Sequence, residues 1–169
     1  MVLKKPLILG SFTYPDGSVY HGEWNLKGCK DGYGILYFST GDVYSGKFRD
    51  DLFFELGHLQ FRDGSFYVGE FLEGWFHGQG IYQSYNGSQY VGYFRGGKIF
   101  GHGQTNLVTS RIQLEGEHRE WKFVIPLDCE SIVENVMRMC RFFRINPEAT
   151  ITGTIDSDEM DDEDDDERY

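Results

Sequence analysis

A mainly β repeat architecture is predicted by three observations: a tyrosine, glycine and aromatic pattern that recurs every 23 or 24 residues, a turn signal in phase between its copies, and an unusual composition. Among 169 residues there are 22 glycines, and aromatics make up 17 %. That combination points away from helical bundles and towards tightly turned β-structure. The length suits one domain or one short repeat array.

The pattern reads Tyr20-His21-Gly22-Glu23-Trp24, then Tyr44-Ser45-Gly46-Lys47-Phe48, Tyr67-Val68-Gly69-Glu70-Phe71 and Tyr90-Val91-Gly92-Tyr93-Phe94. A second set of glycines keeps the phase: Gly34, Gly57 and Gly80 lie 12 residues ahead of Gly46, Gly69 and Gly92, and Gly103 lies 13 ahead of Gly116. Gly10 stands 12 ahead of Gly22, so the array opens with half a repeat. Between the two sets fall Asp16-Gly17, Gly41-Asp42, Asp63-Gly64 and Asn86-Gly87, which supply the positive φ of a tight hairpin. Each repeat is therefore strand, turn, strand. Side chains alternate along a strand, so Tyr20, Gly22 and Trp24 share one face while His21 and Glu23 share the other. The structural core is assigned to these positions in all four copies, Tyr20, Gly22, Trp24, Tyr44, Gly46, Phe48, Tyr67, Gly69, Phe71, Tyr90, Gly92 and Phe94. The small residue between two aromatics leaves room for a neighbouring side chain across the backbone. One hairpin cannot bury such a face alone, whereas stacked copies form a continuous core. An elongated single-layer β-solenoid is expected.

From roughly Gly10 to Gly116 these residues resemble the MORN (membrane occupation and recognition nexus) repeat family. The family's Gly-x-Gly pair stands at Gly32/Gly34, Gly78/Gly80 and Gly101/Gly103, but Glu55 replaces its first glycine in one copy, and Asp51 stands where Gly28, Gly74 and Gly97 stand. A fifth copy has Leu114 for tyrosine and His118 for the aromatic, and is expected to be an irregular cap. The array is bounded at 10–118, about four and a half repeats, behind an N-terminal segment 1–9.

After the array the period changes. Ile132, Val136, Met139 and Phe143 recur at helical spacing, with Asp128 as N-cap and Pro126 and Pro147 as flanks. One amphipathic helix is expected within 126–145, with its apolar stripe packed against the open end or one face of the solenoid as a cap. Segment 146–169 reads as an acidic disordered tail, since Asp156 to Arg168 carries ten acids and one arginine. An array of MORN repeats followed by one C-terminal helix resembles the retinophilin family. That resemblance implies binding to the tail of class III myosins.

Several classes of function are disfavoured. Without the acidic tail the chain has 17 acids against 15 bases, and such a body exerts no general pull on nucleic acid. The odd count of cysteines, Cys29, Cys129 and Cys140, without CxxC spacing argues against a disulfide framework or zinc site and for a reducing compartment. The short apolar run Leu7 to Leu9 is no signal peptide. His21, His58, His77, His102 and His118 have no carboxylate or cysteine at ligand spacing, and no nucleophile elbow is present. No catalytic residue, metal or cofactor is expected.

What remains is a scaffold that holds a protein along a groove. Partner-binding candidates are large apolar residues that the repeat does not demand: Phe53, Phe54, Trp75, Phe76, Ile99 and Phe100 between repeats, and Tyr33, Ile35 and Tyr37 around Gly34. The resemblance implies a class III myosin tail as partner, and a cytoplasmic monomer in actin-rich projections such as filopodia, stereocilia or photoreceptor rhabdomeres. Weak contact with anionic phospholipid is the alternative, although Lys47, Arg49, Arg95 and Lys98 are interspersed with Glu23, Glu70 and Glu73.

Overall fold

The turn chemistry sets the local structure. In the computed structural model, which describes residues 6–108, 110–119, 122–145 and 147, Tyr14, Phe38, Phe61 and Ser84 each open a three-residue loop closed by a left-handed glycine. That glycine is Gly17, Gly41, Gly64 or Gly87, with φ between 85° and 95°. Asp16, Asp63 and Asn86 each accept the N–H two residues on, which fixes three of the loops. The link from β2 to β3 repeats that loop, closed by Gly28, whereas the next three links are tighter. Asp50-Asp51, Glu73-Gly74 and Gly96-Gly97 have positive φ at both residues, the two-residue turn that matches strand twist.

The strands are β1 (Ile8–Thr13), β2 (Val19–Trp24), β3 (Lys30–Tyr37), β4 (Val43–Arg49), β5 (Leu52–Gln60), β6 (Phe66–Leu72), β7 (Trp75–Gln83), β8 (Gln89–Arg95), β9 (Lys98–Leu107), β10 (Ile112–Arg119) and β11 (Lys122–Pro126). They form one antiparallel sheet in sequence order. A column of paired glycines crosses it: Gly10, Gly22, Gly34, Gly46, Gly57, Gly69, Gly80, Gly92, Gly103 and Gly116 are each opposite the next. Beside the glycines of β2, β4, β6 and β8 the register shifts, with two extra residues in the strand that follows, β3, β5, β7 or β9.

The side chain that uses the glycines' space is the repeat's own tyrosine. A Cβ at Gly34, Gly57, Gly80 or Gly103 would lie 2.3 to 2.6 Å from the hydroxyl of Tyr20, Tyr44, Tyr67 or Tyr90. Each hydroxyl donates to the carbonyl three residues on, at 3.0, 2.7, 2.9 and 3.4 Å. Burial pushes the phenol pKa values up, so the hydroxyl stays a donor.

Phe48 then packs edge-on between Tyr20 and Tyr44, Phe71 between Tyr44 and Tyr67, and Phe94 between Tyr67 and Tyr90. Such pairs contribute about 0.5–1.5 kcal/mol each beyond area burial. In the fifth copy, His118 is buried edge-on against Tyr90.

The C-terminal helix α1 (Glu130–Phe142) lies on the opposite face of the sheet, over β6 to β9. Its Cys129, Ile132, Val136 and Cys140 bury Phe66, Val68, Ile81 and Val91 in a second core. The helix therefore covers a face, while the edges β1 and β11 are left open among the described residues. Cys129 is the N-cap residue, and Asp128 immediately before it accepts the Glu130 N–H at 2.9 Å. Burial pushes the Cys140 thiol up to about 11, which keeps it protonated. Residues 1–5 of the N-terminal segment, and 146 and 148–169 of the acidic tail, lie outside the described residues.

Candidate partner-binding face

Strand alternation sorts the expected partner residues into two groups. Phe53, Phe76 and Ile99 lie four residues before the column glycines Gly57, Gly80 and Gly103, hence on the tyrosine face. Phe53 stacks on Tyr44 at 3.7 Å and Phe76 on Tyr67 at 3.9 Å, both nearly parallel, and Ile99 is 2 % exposed in the same core. Ile99 is thus a core residue and the half-buried Phe53 and Phe76 pack against that core, a correction to the assignment of all three as partner contacts. Lys30 holds the equivalent place in the first repeat. Its ammonium lies 5.8 Å from the Tyr20 ring centre and reaches the Tyr14 hydroxyl at 3.0 Å and Asp51 at 3.1 Å.

Phe54, Trp75 and Phe100 have the other parity. Trp75 is 64 % exposed and Phe100 is exposed, whereas the half-buried Phe54 ring lies 3.4 Å beneath the Arg49 guanidinium. Of the expected structural positions, Trp24 alone among the aromatics is only half-buried, with its indole N–H donating to the Gly10 carbonyl at 3.3 Å.

Tyr33, Ile35 and Tyr37 lie on the helix face, on β3, beyond the part that α1 covers. Tyr33 is 53 % and Tyr37 45 % exposed. Ile35 is opposite His21 on one side and Ser45 on the other. The Phe142 and Phe143 rings at the end of α1 close one side of a groove of about 680 Å³, with Tyr33, Ile35, Leu9 and Ser45 along its floor and wall. Ile35 occupies in its repeat the place of Ile81, which is fully buried beneath the helix, and Ser45 and His58 stand between Ile35 and the buried Val68 across the strands. The groove's rim is polar. Lys47 is paired with Glu55 and lies over the Tyr33 ring at 5.4 Å, and hydrogen bonding to Glu55 raises the lysine pKa. Phe142 and Phe143 belong to the groove but were absent from the expected set. Helical periodicity gives their spacing on α1 but does not say where the helix lands on the sheet.

A second feature surrounds Phe100. Arg95, Lys98, Arg119 and Lys122 line a depression of about 490 Å³ beside it. Sequence reading found the first two; Arg119 and Lys122 lie 24 residues further on, one repeat period, so repeat spacing would have found them. Among the described residues no cluster of histidine, cysteine or acidic side chains fits a metal ion, and no helix is long and apolar enough to cross a membrane.

Comparison with known proteins adds two findings. The sequence model of the MORN repeat matches residues 9–19, 20–43, 44–66, 67–89 and 90–105, more than half of the chain. A 44-residue stretch is 46 % identical to the MORN repeat-containing protein 4 homolog of Drosophila melanogaster. That stretch is 26 % of this chain and 22 % of that protein, so the likeness spans about a fifth of the relative's length.

Proposed function

The chain belongs to the MORN repeat family, and on that premise we propose that it is a non-catalytic adaptor that holds a partner protein on the helix face, in the groove of Tyr33 and Ile35 with Tyr37 further along the same strand. Repeats of this family often mediate protein or membrane interactions. The carrying observation is that Phe142 and Phe143, at the end of α1, line one groove with exposed Ile35 and Tyr33, beyond the part of the sheet that α1 covers. A partner laid there would extend a core that the chain already builds with its own helix. The sheet offers a preformed surface, so little ordering is required of it on association.

The partner we propose is the tail of a class III myosin, with the protein working in actin-rich projections. The support is the array of MORN repeats followed by one helix, together with the likeness to a protein 4 homolog of the family. A phospholipid reading has its own observation, the basic side chains Arg95, Lys98, Lys122 and Arg119, the last paired with Glu117, beside the exposed apolar Phe100. Titration of the purified chain against a class III myosin tail fragment, with anionic vesicles in parallel at physiological salt, separates the two. Saturable micromolar binding to the tail supports the adaptor reading, and binding to vesicles alone replaces it with the peripheral-membrane one.

A further inference from the structure

We propose that β1 is a dimer interface, in which the β1 strands of two copies pair antiparallel about a two-fold axis with Gly10 opposite Gly10. One position in the glycine column differs from the rest. At Gly22, Gly34, Gly46, Gly57, Gly69, Gly80, Gly92 and Gly103 the space of a Cβ is taken by a tyrosine hydroxyl at 2.3 to 2.7 Å. At Gly10 the nearest atom is Nε1 of Trp24, at an ordinary 3.5 Å. In the repeat, each tyrosine lies over the glycine of its own strand and that of the strand that follows. The side chain that belongs over Gly10 would therefore come from a strand on the outer edge of β1, and no described residue pairs there.

The sequence of β1 identifies a strand that fits. Ile8-Leu9-Gly10-Ser11-Phe12 has a large apolar residue on each side of the glycine, as Tyr20-His21-Gly22-Glu23-Trp24 does. In the equivalent strands β3, β7 and β9 the place of Ile8 is taken by Gly32, Gly78 and Gly101. A second β1 can thus stand in for the missing strand. With glycine opposite glycine, the register found at each pairing along the column, Ile8 of each copy faces Phe12 of the other, just as Ile8 faces Trp24 and Phe12 faces Tyr20 within one copy.

The edges of the sheet differ in the same sense. From Leu7 to Tyr14 there is no charged residue, and Ile8, Leu9 and Phe12 are exposed, Leu9 at 81 %. At the other end β11 carries Lys122 and Pro126, and the β10–β11 register is broken between Glu117 and His118, devices that discourage further pairing. A closed two-fold dimer through β1 is favoured over a head-to-tail filament through β11. It replaces the monomer expected from sequence.

The test is sedimentation equilibrium of the full chain over a range of concentrations, with thermal unfolding of each variant as a check on folding. The wild type is expected at twice the 19.6 kDa of one chain. Gly10→Ala fits the single copy, because its Cβ meets only Trp24 at ordinary distance, but a glycine-to-glycine approach such as that at Gly22, where a Cβ would be 2.5 Å from the Gly34 Cα, excludes it from the pair. Gly10→Ala and Ile8→Lys are expected to give single-chain mass and to unfold in one cooperative transition whose midpoint no longer depends on protein concentration. Single-chain mass for the wild type at every concentration, or a dimer that persists in both Gly10→Ala and Ile8→Lys, overturns the proposal.

Discussion

Glu55 is a non-glycine residue held at φ 50° where other repeats place Gly32, Gly78 and Gly101. Its neighbour across the sheet accounts for it. In the first and third repeats the Glu23 and Glu70 carboxylates lie over Gly32 and Gly78 and accept the N–H groups of Tyr33 and Gln79. In the second, lysine replaces that glutamate, and Lys47 pairs with Glu55. Lys47→Glu alone sets two carboxylates together and is expected to lower stability by about 1 kcal/mol, and Glu55→Gly in the same chain is expected to restore it. A double-mutant cycle by urea unfolding reads this coupling; additive effects would contradict it. His58 is a different exception. Beneath the end of α1 near Phe143, its Nε2 finds no partner among the described residues, and burial holds the imidazole pKa below the usual histidine range. A depressed folded pKa means that the unfolded chain binds the proton more readily. Stability is therefore full above the unfolded pKa of about 6.5 and falls as pH drops through it towards the folded value. His58→Ile, which copies Ile35 and Ile81, is expected to raise stability by about 1 kcal/mol at neutral pH and to lessen the loss between about pH 7.5 and 5.5. Thermal unfolding across that range checks both effects.

At the scale of the element, much of the fold was legible in the sequence and some legible information went unread. The tyrosine and glycine frame marked the strands, and the glycine turn signals marked the hairpins, because both depend on local backbone sterics. Phe53, Phe76 and Ile99 were read as linkers since they lie outside that frame. Yet β5, β7 and β9 begin directly after two-residue turns, and counting back by twos from Gly57, Gly80 and Gly103 places all three on the tyrosine face. The same count places Phe54, Trp75 and Phe100 outside. The landing site of α1 was not legible, since an apolar stripe fixes which side of a helix is buried without fixing the surface that buries it. Phe76→Ala is accordingly expected to cost about 3–5 kcal/mol by opening a cavity against Tyr67, whereas Trp75→Ala is expected to cost under about 1 kcal/mol. Urea midpoints of the two variants decide the point, and equal losses would show the sorting to be wrong.

For the whole molecule, the sheet has two unequal faces. One is closed by its own tyrosine and phenylalanine rings, and the other is closed by α1 over β6 to β9 and open over β3. The proposed function is placed on the open part, because in the middle repeats the aromatics of the tyrosine face pack against one another. The basic depression around Phe100 is remote in sequence from this groove, which makes the two readings separable by substitution. Ile35 and Tyr33 are at the surface, so changing them leaves the core intact.

The most direct measurement is the affinity of a class III myosin tail fragment for the wild type, for Ile35→Asp with Tyr33→Ala, and for Arg95→Glu with Lys122→Glu, each confirmed folded by its unfolding transition. The account predicts at least a tenfold loss for the first pair of substitutions, about 1.4 kcal/mol or more, and little change for the second. Unchanged affinity in the Ile35 and Tyr33 variant, with loss in the Arg95 and Lys122 variant, would contradict the assignment of the binding face.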